Sequence, residues 1–187
     1  TGVIGDFMPM DLLSEEIPML SKKVLSEEGL KAGSFHKAAE AIMTTDTTVK
    51  IAQASFVIGG REVRLWGCAK GAGMIHPKMN QTGQLHATML AFLLSDLQAS
   101  PKELQHALNR ATEETFNRVT VDGDMSTNDS AILLANGASG VALKSASDRE
   151  MFEALLESVV EHFSRPLVTA LSSIVRAVSP ELTETQI

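Results

Sequence analysis

One cysteine, Cys68, no tyrosine, and only seven phenylalanines and one tryptophan stand among the 187 residues. A lone cysteine excludes a disulfide framework and any cysteine-built zinc or iron–sulfur centre. The shortage of aromatics, 4% of the chain, removes the stacking platforms of single-strand nucleic-acid binders. Basic charge is also in deficit, 16 Lys+Arg against 23 Asp+Glu for a net −7. That balance argues against nucleic acid and anionic membrane surfaces as partners, since both are held by basic patches. No apolar run reaches the length of a membrane span. The first residues lack the basic start and apolar stretch of a signal peptide, which leads to the expectation of a cytoplasmic protein. The chain opens on Thr1 rather than Met and therefore reads as processed or as a fragment.

What is present is an apolar fraction of 44% in a length that suits one domain, 1–187, able to bury a core without crosslinks. Residues 12–25 are helix-like, interrupted by Pro18, with Glu15 and Glu16 early and Lys22 and Lys23 late, in the sense that suits the helix dipole. Ser34 is placed to cap a short helix through Ile42. TVKIAQASFVI, the pair Gly59-Gly60 and REVRLWGCA then read as a β-hairpin. KGAGMIHPKMNQTGQLH is loop-like. In the following segment, Leu85, Met89, Leu93 and Leu97 recur at helical spacing, while TMLAFLL fits a buried strand equally well. Ser100-Pro101-Lys102-Glu103 is a capping box with Pro at the first helical position. Ser147-Asp148-Arg149-Glu150 has the same form. Between those helices lie a short strand VTV at 119–121, the loop DGDMSTND and a strand AILLA ended by Asn136-Gly137. Pro166 is expected to break or kink the last helix. The order α-α-β-β-(?)-α-β-β-α is that of an α+β sandwich rather than a βαβ winding.

Familiar site motifs are missing. Gly71-Ala72-Gly73 would need glycine where His76 stands, so there is no dinucleotide fingerprint, and no phosphate-binding G-x-x-x-x-G-K-[ST] run occurs. Asp122-Gly123-Asp124 opens like a calcium loop but lacks the later glycine and the terminal glutamate. The five histidines, 36, 76, 86, 106 and 162, contain no i, i+4 pair suited to a metal, and neither a metal nor another cofactor is expected. Cys68 falls within the expected strand and reads as a buried thiol rather than a nucleophile. His86, two residues from Thr88, allows a base–nucleophile reading, although sequence neighbours rarely present the required geometry.

Four segments in order carry more: TGVIGDFMPMD at 1–11, AIMTTDT at 41–47, CAKGAGMIHPKM with HATML at 68–90, and FNRVTVDGDMSTND at 116–129. Together with ILLANG and the later SIVR they closely resemble the ornithine acetyltransferase family, the glutamate N-acetyltransferases of the cyclic arginine pathway, over essentially the whole chain. The resemblance implies a layered α/β sandwich, here in truncated form. It also implies a precursor that cuts itself between Ala87 and Thr88, giving a part before the cut (1–87) and a part after it (88–187). Thr88 would then be the nucleophile, with its own α-amine as base. An α-amine titrates near pH ~8, whereas an isolated hydroxyl is a poor nucleophile at neutral pH. By the same resemblance Thr1 and Gly2 line the oxyanion hole. Thr44 and Lys70 contact the amino-acid part of the substrate, where an ammonium suits an α-carboxylate. Asp122, Asp124 and Asn128 match the family's motif as organisers of a turn near the site. The implied reaction is ping-pong, with acetyl passing from N-acetylornithine to threonine and then to glutamate; use of acetyl-coenzyme A is left open.

The chain departs from that pattern in two ways. Seven residues, Asn80 to His86, stand between Pro77-Lys78-Met79 and Ala87-Thr88, where the family runs directly from one to the other. The family's N-terminal segment and long C-terminal half, with its Gly-Glu-Gly acidic residue, have no counterpart here. Complementing chains or a homo-oligomer would supply what is missing. An uncut, truncated scaffold or binding module is the alternative reading, and an amidase or aminopeptidase a third.

Overall fold

The computed structural model describes residues 7, 9–24, 26, 34–44, 46–72, 89–120, 123, 124, 126 and 128–178, with side chains to residue 165 apart from Val24 and Ser34. The elements run α1 (Met10–Val24), α2 (Ser34–Ala41), β1 (Lys50–Ile58), β2 (Arg61–Lys70), β3 (Leu90–Ser95), α3 (Pro101–Glu114), a 3₁₀ turn (Phe116–Arg118), β4 (Ser130–Ala135) and α4 (Ala146–Val178). The strands form one four-stranded sheet in the order β1-β2-β3-β4. Its first two pairings are antiparallel and the last, β3 with β4, is parallel. The molecule is an α+β protein.

The hairpin forms as its sequence dictates. Gly59 and Gly60 take positive φ of 57° and 79°, the two left-handed positions of a two-residue turn whose twist matches that of its strands. Lys50 consequently pairs with Ala69, and Ile58 with Arg61. A parallel neighbour cannot be reached by a tight turn, so the chain crosses from β3 to β4 through α3. That helix starts at the expected capping box, with the Ser100 hydroxyl accepting from the Glu103 amide and the Glu103 carboxylate accepting from the Ser100 amide.

Helices α3 and α4 cover one face of the sheet. Val63, Leu65, Ala91, Leu93 and Leu133 point from the strands toward Leu108, Ala111, Phe116, Phe152, Leu156, Val160 and Phe163 in one continuous core. Gly67 lies beneath the helix layer, where a Cβ would come within 2.8 Å of Leu93 Cδ2 and 2.9 Å of Phe163 Cζ. The second face carries Trp66, Phe92, Leu94, Ile132 and Leu134 and is covered in part by α2, whose Phe35 stacks 4.5 Å from Trp66.

Several expectations are corrected. The ambiguous apolar segment is strand over 90–95. Because β3 is central, with apolar residues on both faces, its sequence lacks the alternation that marks a half-exposed strand; residues 85–88 lie outside the described residues. Within VTV no strand forms over the described residues: a 3₁₀ turn ends at Arg118, and Val119 and Thr120 follow in irregular backbone, while Val121 lies outside the described residues. The cap of α4 lies two residues earlier than expected. The Ser145 hydroxyl accepts from the Asp148 amide and the Asp148 carboxylate from the Ser145 amide. Helix α4 continues through Pro166, and α2 begins at Ser34.

Candidate active site at one end of the sheet

Alternation along β1 places Lys50, Ala52, Ala54, Phe56 and Ile58 on the helix-covered face. A lysine in that row has to find an opposite charge or leave the protein interior. Lys50 finds Asp46, four residues earlier, and both side chains are essentially sealed from solvent, 3% and 0% exposed. The pair closes around the end of β2. Lys50 Nζ donates to the Gly71 carbonyl at 2.9 Å, and the Gly71 amide donates to Asp46 Oδ1 at 2.8 Å. The other Asp46 oxygen accepts from the Thr44 amide at 3.5 Å. Burial alone would push the Asp46 carboxyl up. The Lys50 hydrogen bond and charge, with the Gly71 and Thr44 amides, outweigh it and hold the group below its usual value.

Beside this brace the sheet presents a row of three paired residues, Lys70 on β2, Leu90 on β3 and Ser130 on β4. Met89, immediately before the row, is fully buried. Its amide donates to the carboxylate of Asp129, itself only 3% exposed, and its carbonyl accepts from the Ser130 amide at 2.9 Å.

Two of the expected site residues are therefore brought to one place. A single carboxylate, that of Asp46, accepts from the Thr44 backbone and from the peptide that follows Lys70. Thr1, Gly2, Ala87 and Thr88 lie outside the described residues, but Met89, the residue after Thr88, heads the strand paired with Lys70. Asp124 and Asn128 stand in the segment that leads into β4, with the Asn128 carbonyl accepting from the Ser130 hydroxyl at 3.3 Å; Asp122 is outside the described residues. Cys68 is buried, and burial pushes its thiol pKa up, the opposite of an activated nucleophile. His86 lies outside the described residues. No cluster of three or more His, Cys, Asp or Glu suited to a metal occurs among the described residues, and no described helix is long and apolar enough to cross a membrane.

Sequence reasoning missed Asp46, Lys50 and Asp129. A signal for the first two existed: a lysine on the apolar parity of a strand, with an aspartate four residues before it. Asp129 closes the segment 116–129 that carries the resemblance, but its own partner is a backbone amide 40 residues away, which no side-chain pattern records.

The whole of this sheet end falls within residues 1–175, which match the model of the ArgJ family. Among curated relatives, the glutamate N-acetyltransferase of Methanococcus maripaludis strain S2 is 43% identical over 169 residues, covering 90% of this chain and 38% of the relative. The mitochondrial arginine biosynthesis bifunctional protein ArgJ of the fungus Laccaria bicolor is 42% identical over 167 residues, covering 86% and 35%. The chain thus spans a little over a third of the length of these relatives. A solved structure, the L-aminopeptidase D-Ala-esterase/amidase of Ochrobactrum anthropi, overlays on 65% of this chain and 40% of its own, with 14% identity and a TM-score of 0.41. With a family match across nearly its whole length and relatives above 40% identity, this chain belongs to the ArgJ family.

Proposed function

We propose that this chain carries the nucleophile of a glutamate N-acetyltransferase that takes its acetyl group from N-acetylornithine, after cutting itself between Ala87 and Thr88. Family membership and the relatives' names support the reaction class. The observation that carries the site is that one buried carboxylate, Asp46, accepts from the Thr44 amide and from the peptide that follows Lys70, on the strand whose Lys70 pairs with Leu90, two residues after Thr88.

In self-cleavage the Thr88 hydroxyl attacks the Ala87 carbonyl carbon. The C–N bond breaks as a C–O ester bond forms, and the proton passes to the nitrogen. Water then hydrolyses the ester, leaving a carboxylate on Ala87 and a free α-amine on Thr88. That amine is the base for transfer. It takes the hydroxyl proton as Oγ attacks the acetyl carbon of N-acetylornithine, and gives it to the departing ornithine nitrogen. The glutamate amine attacks the acetyl-threonine ester, and the proton returns through the α-amine to Oγ. Thr1 and Gly2 supply donors to the oxyanion of each tetrahedral intermediate. Lys70 pairs with the substrate α-carboxylate and Thr44 contacts the same amino-acid part. Acetyl-coenzyme A is a second candidate donor.

The stretch Asn80–His86 favours one other reading, an uncut scaffold, because self-cleavage needs an accurately placed peptide and seven added residues directly precede the scissile bond. The intact mass of the purified full-length protein, with and without Thr88→Ala, separates the two. Two fragments from the wild type, one starting at Thr88, and one whole chain from the variant are expected. A wild-type chain that stays whole on incubation contradicts self-processing and leaves the scaffold.

A further inference from the structure

The buried carboxylate of Asp129 has no part in the reaction as written, yet it grips the residue next to the nucleophile. Met89 is held at three points. Its amide donates to Asp129, its carbonyl accepts from the Ser130 amide, and its side chain is fully buried in the core. Placing a carboxylate at 3% exposure is costly unless strong donors meet it, and an amide donating to a carboxylate is among the stronger protein hydrogen bonds. The peptide unit joining residues 88 and 89 is planar. An acceptor that holds the Met89 N–H, with a core that holds the Met89 side chain, anchors the Met89 side of the peptide bond that follows residue 88.

We infer that Asp129 is a positioning residue for Thr88: its carboxylate, held against the Met89 amide, orients the peptide that carries the nucleophile, both for self-cleavage and for acetyl transfer. The inference rests on the Thr88 reading above. It assigns Asp129 no contact with substrate. Loss of the carboxylate accordingly slows steps in which the Thr88 hydroxyl attacks and leaves substrate affinity alone.

The test follows maturation of the purified full-length protein by intact mass, in wild type, Asp129→Ala and Asp129→Asn, with melting midpoints measured alongside. Asparagine keeps an acceptor oxygen at the same reach without the charge, whereas alanine removes it. Cleavage is expected to slow roughly a hundredfold in Asp129→Ala, the scale of a nucleophile misplaced by about an ångström. It should slow only severalfold in Asp129→Asn, with an unchanged melting midpoint. In matured protein kcat should fall in the same order while KM for N-acetylornithine stays put. If Asp129→Ala does not fold, the asparagine variant decides alone. Wild-type maturation in a folded variant, or a change in KM with kcat intact, overturns the inference. A wild-type chain that is never cut and takes up no acetyl group overturns the Thr88 reading and this inference together; a wild type cut normally beside variants cut equally fast overturns the inference alone.

Discussion

The two ends of the sheet both carry ion pairs, built on opposite principles. At the hairpin end, Arg64 and Glu62 meet two residues apart on one strand, with 74% and 44% of their side chains in water. Arg64 lowers the Glu62 carboxyl, helped by a hydrogen bond from Ser55, but so exposed a pair is screened by salt and adds little to stability. At the opposite end, Lys50 and Asp46 are sealed in and share their remaining hydrogen-bonding capacity with the Gly71 and Thr44 backbones. A buried pair of this kind need not stabilise the fold more than apolar side chains would, but breaking it is expensive. The difference teaches where geometry is held tightly: at the end where one buried pair joins the Thr44 backbone to the peptide that follows Lys70.

The largest effect should come from opening the buried pair. Asp46→Ala leaves Lys50 inside without its counter-charge and should cost about 3–5 kcal/mol in denaturant unfolding, whereas Glu62→Ala leaves the unfolding midpoint nearly unchanged. Equal losses at both ends would erase the contrast. Between the ends, Gly67→Ala forces a methyl into Leu93 and Phe163 and should cost roughly 1–3 kcal/mol. Thermal melts should show partial recovery when Phe163→Leu is added, because the two sites share one contact. At the hairpin, Gly60→Ala meets no steric neighbour but places a Cβ on a backbone at φ 79°, and roughly 1 kcal/mol is expected from equilibrium unfolding.

The smallest effect sharpens the electrostatic side. The folded Asp46 carboxyl lies below its ordinary value of 3.8. Its contribution is therefore complete above the unfolded value and is lost as pH falls from there through the folded one. Stability measured from about pH 5 downward should decline less steeply in Asp46→Asn than in the wild type. Glu62→Gln should change that slope only in low salt, since its partner is in water.

The hairpin, the capping box of α3 and β4 were legible because each is specified locally, by Gly59-Gly60, by Ser100 to Glu103 and by a bounded apolar run. The central strand was not, since Leu90 to Ser95 is apolar on both faces and its parallel partner lies across a helix. The VTV segment has strand propensity, but the chain leaves α3 through a 3₁₀ turn anchored by the buried Phe116. In the site, Thr44 and Lys70 were reached through motif resemblance. Asp46, which ties them together, left only a faint sign, a lysine four residues on at an apolar strand position, and Asp129 acts on a backbone amide 40 residues away, which leaves no trace in side-chain patterns.

In the proposed mechanism Thr88 is the acyl-accepting nucleophile. The most direct measurement is peptide mapping by mass spectrometry after the full-length protein is mixed with N-acetylornithine in the absence of glutamate. An acetyl group on Thr88, at the start of its fragment and discharged when glutamate is added, is the predicted result. No adduct, or an acetyl group on another residue that glutamate does not remove, would contradict it.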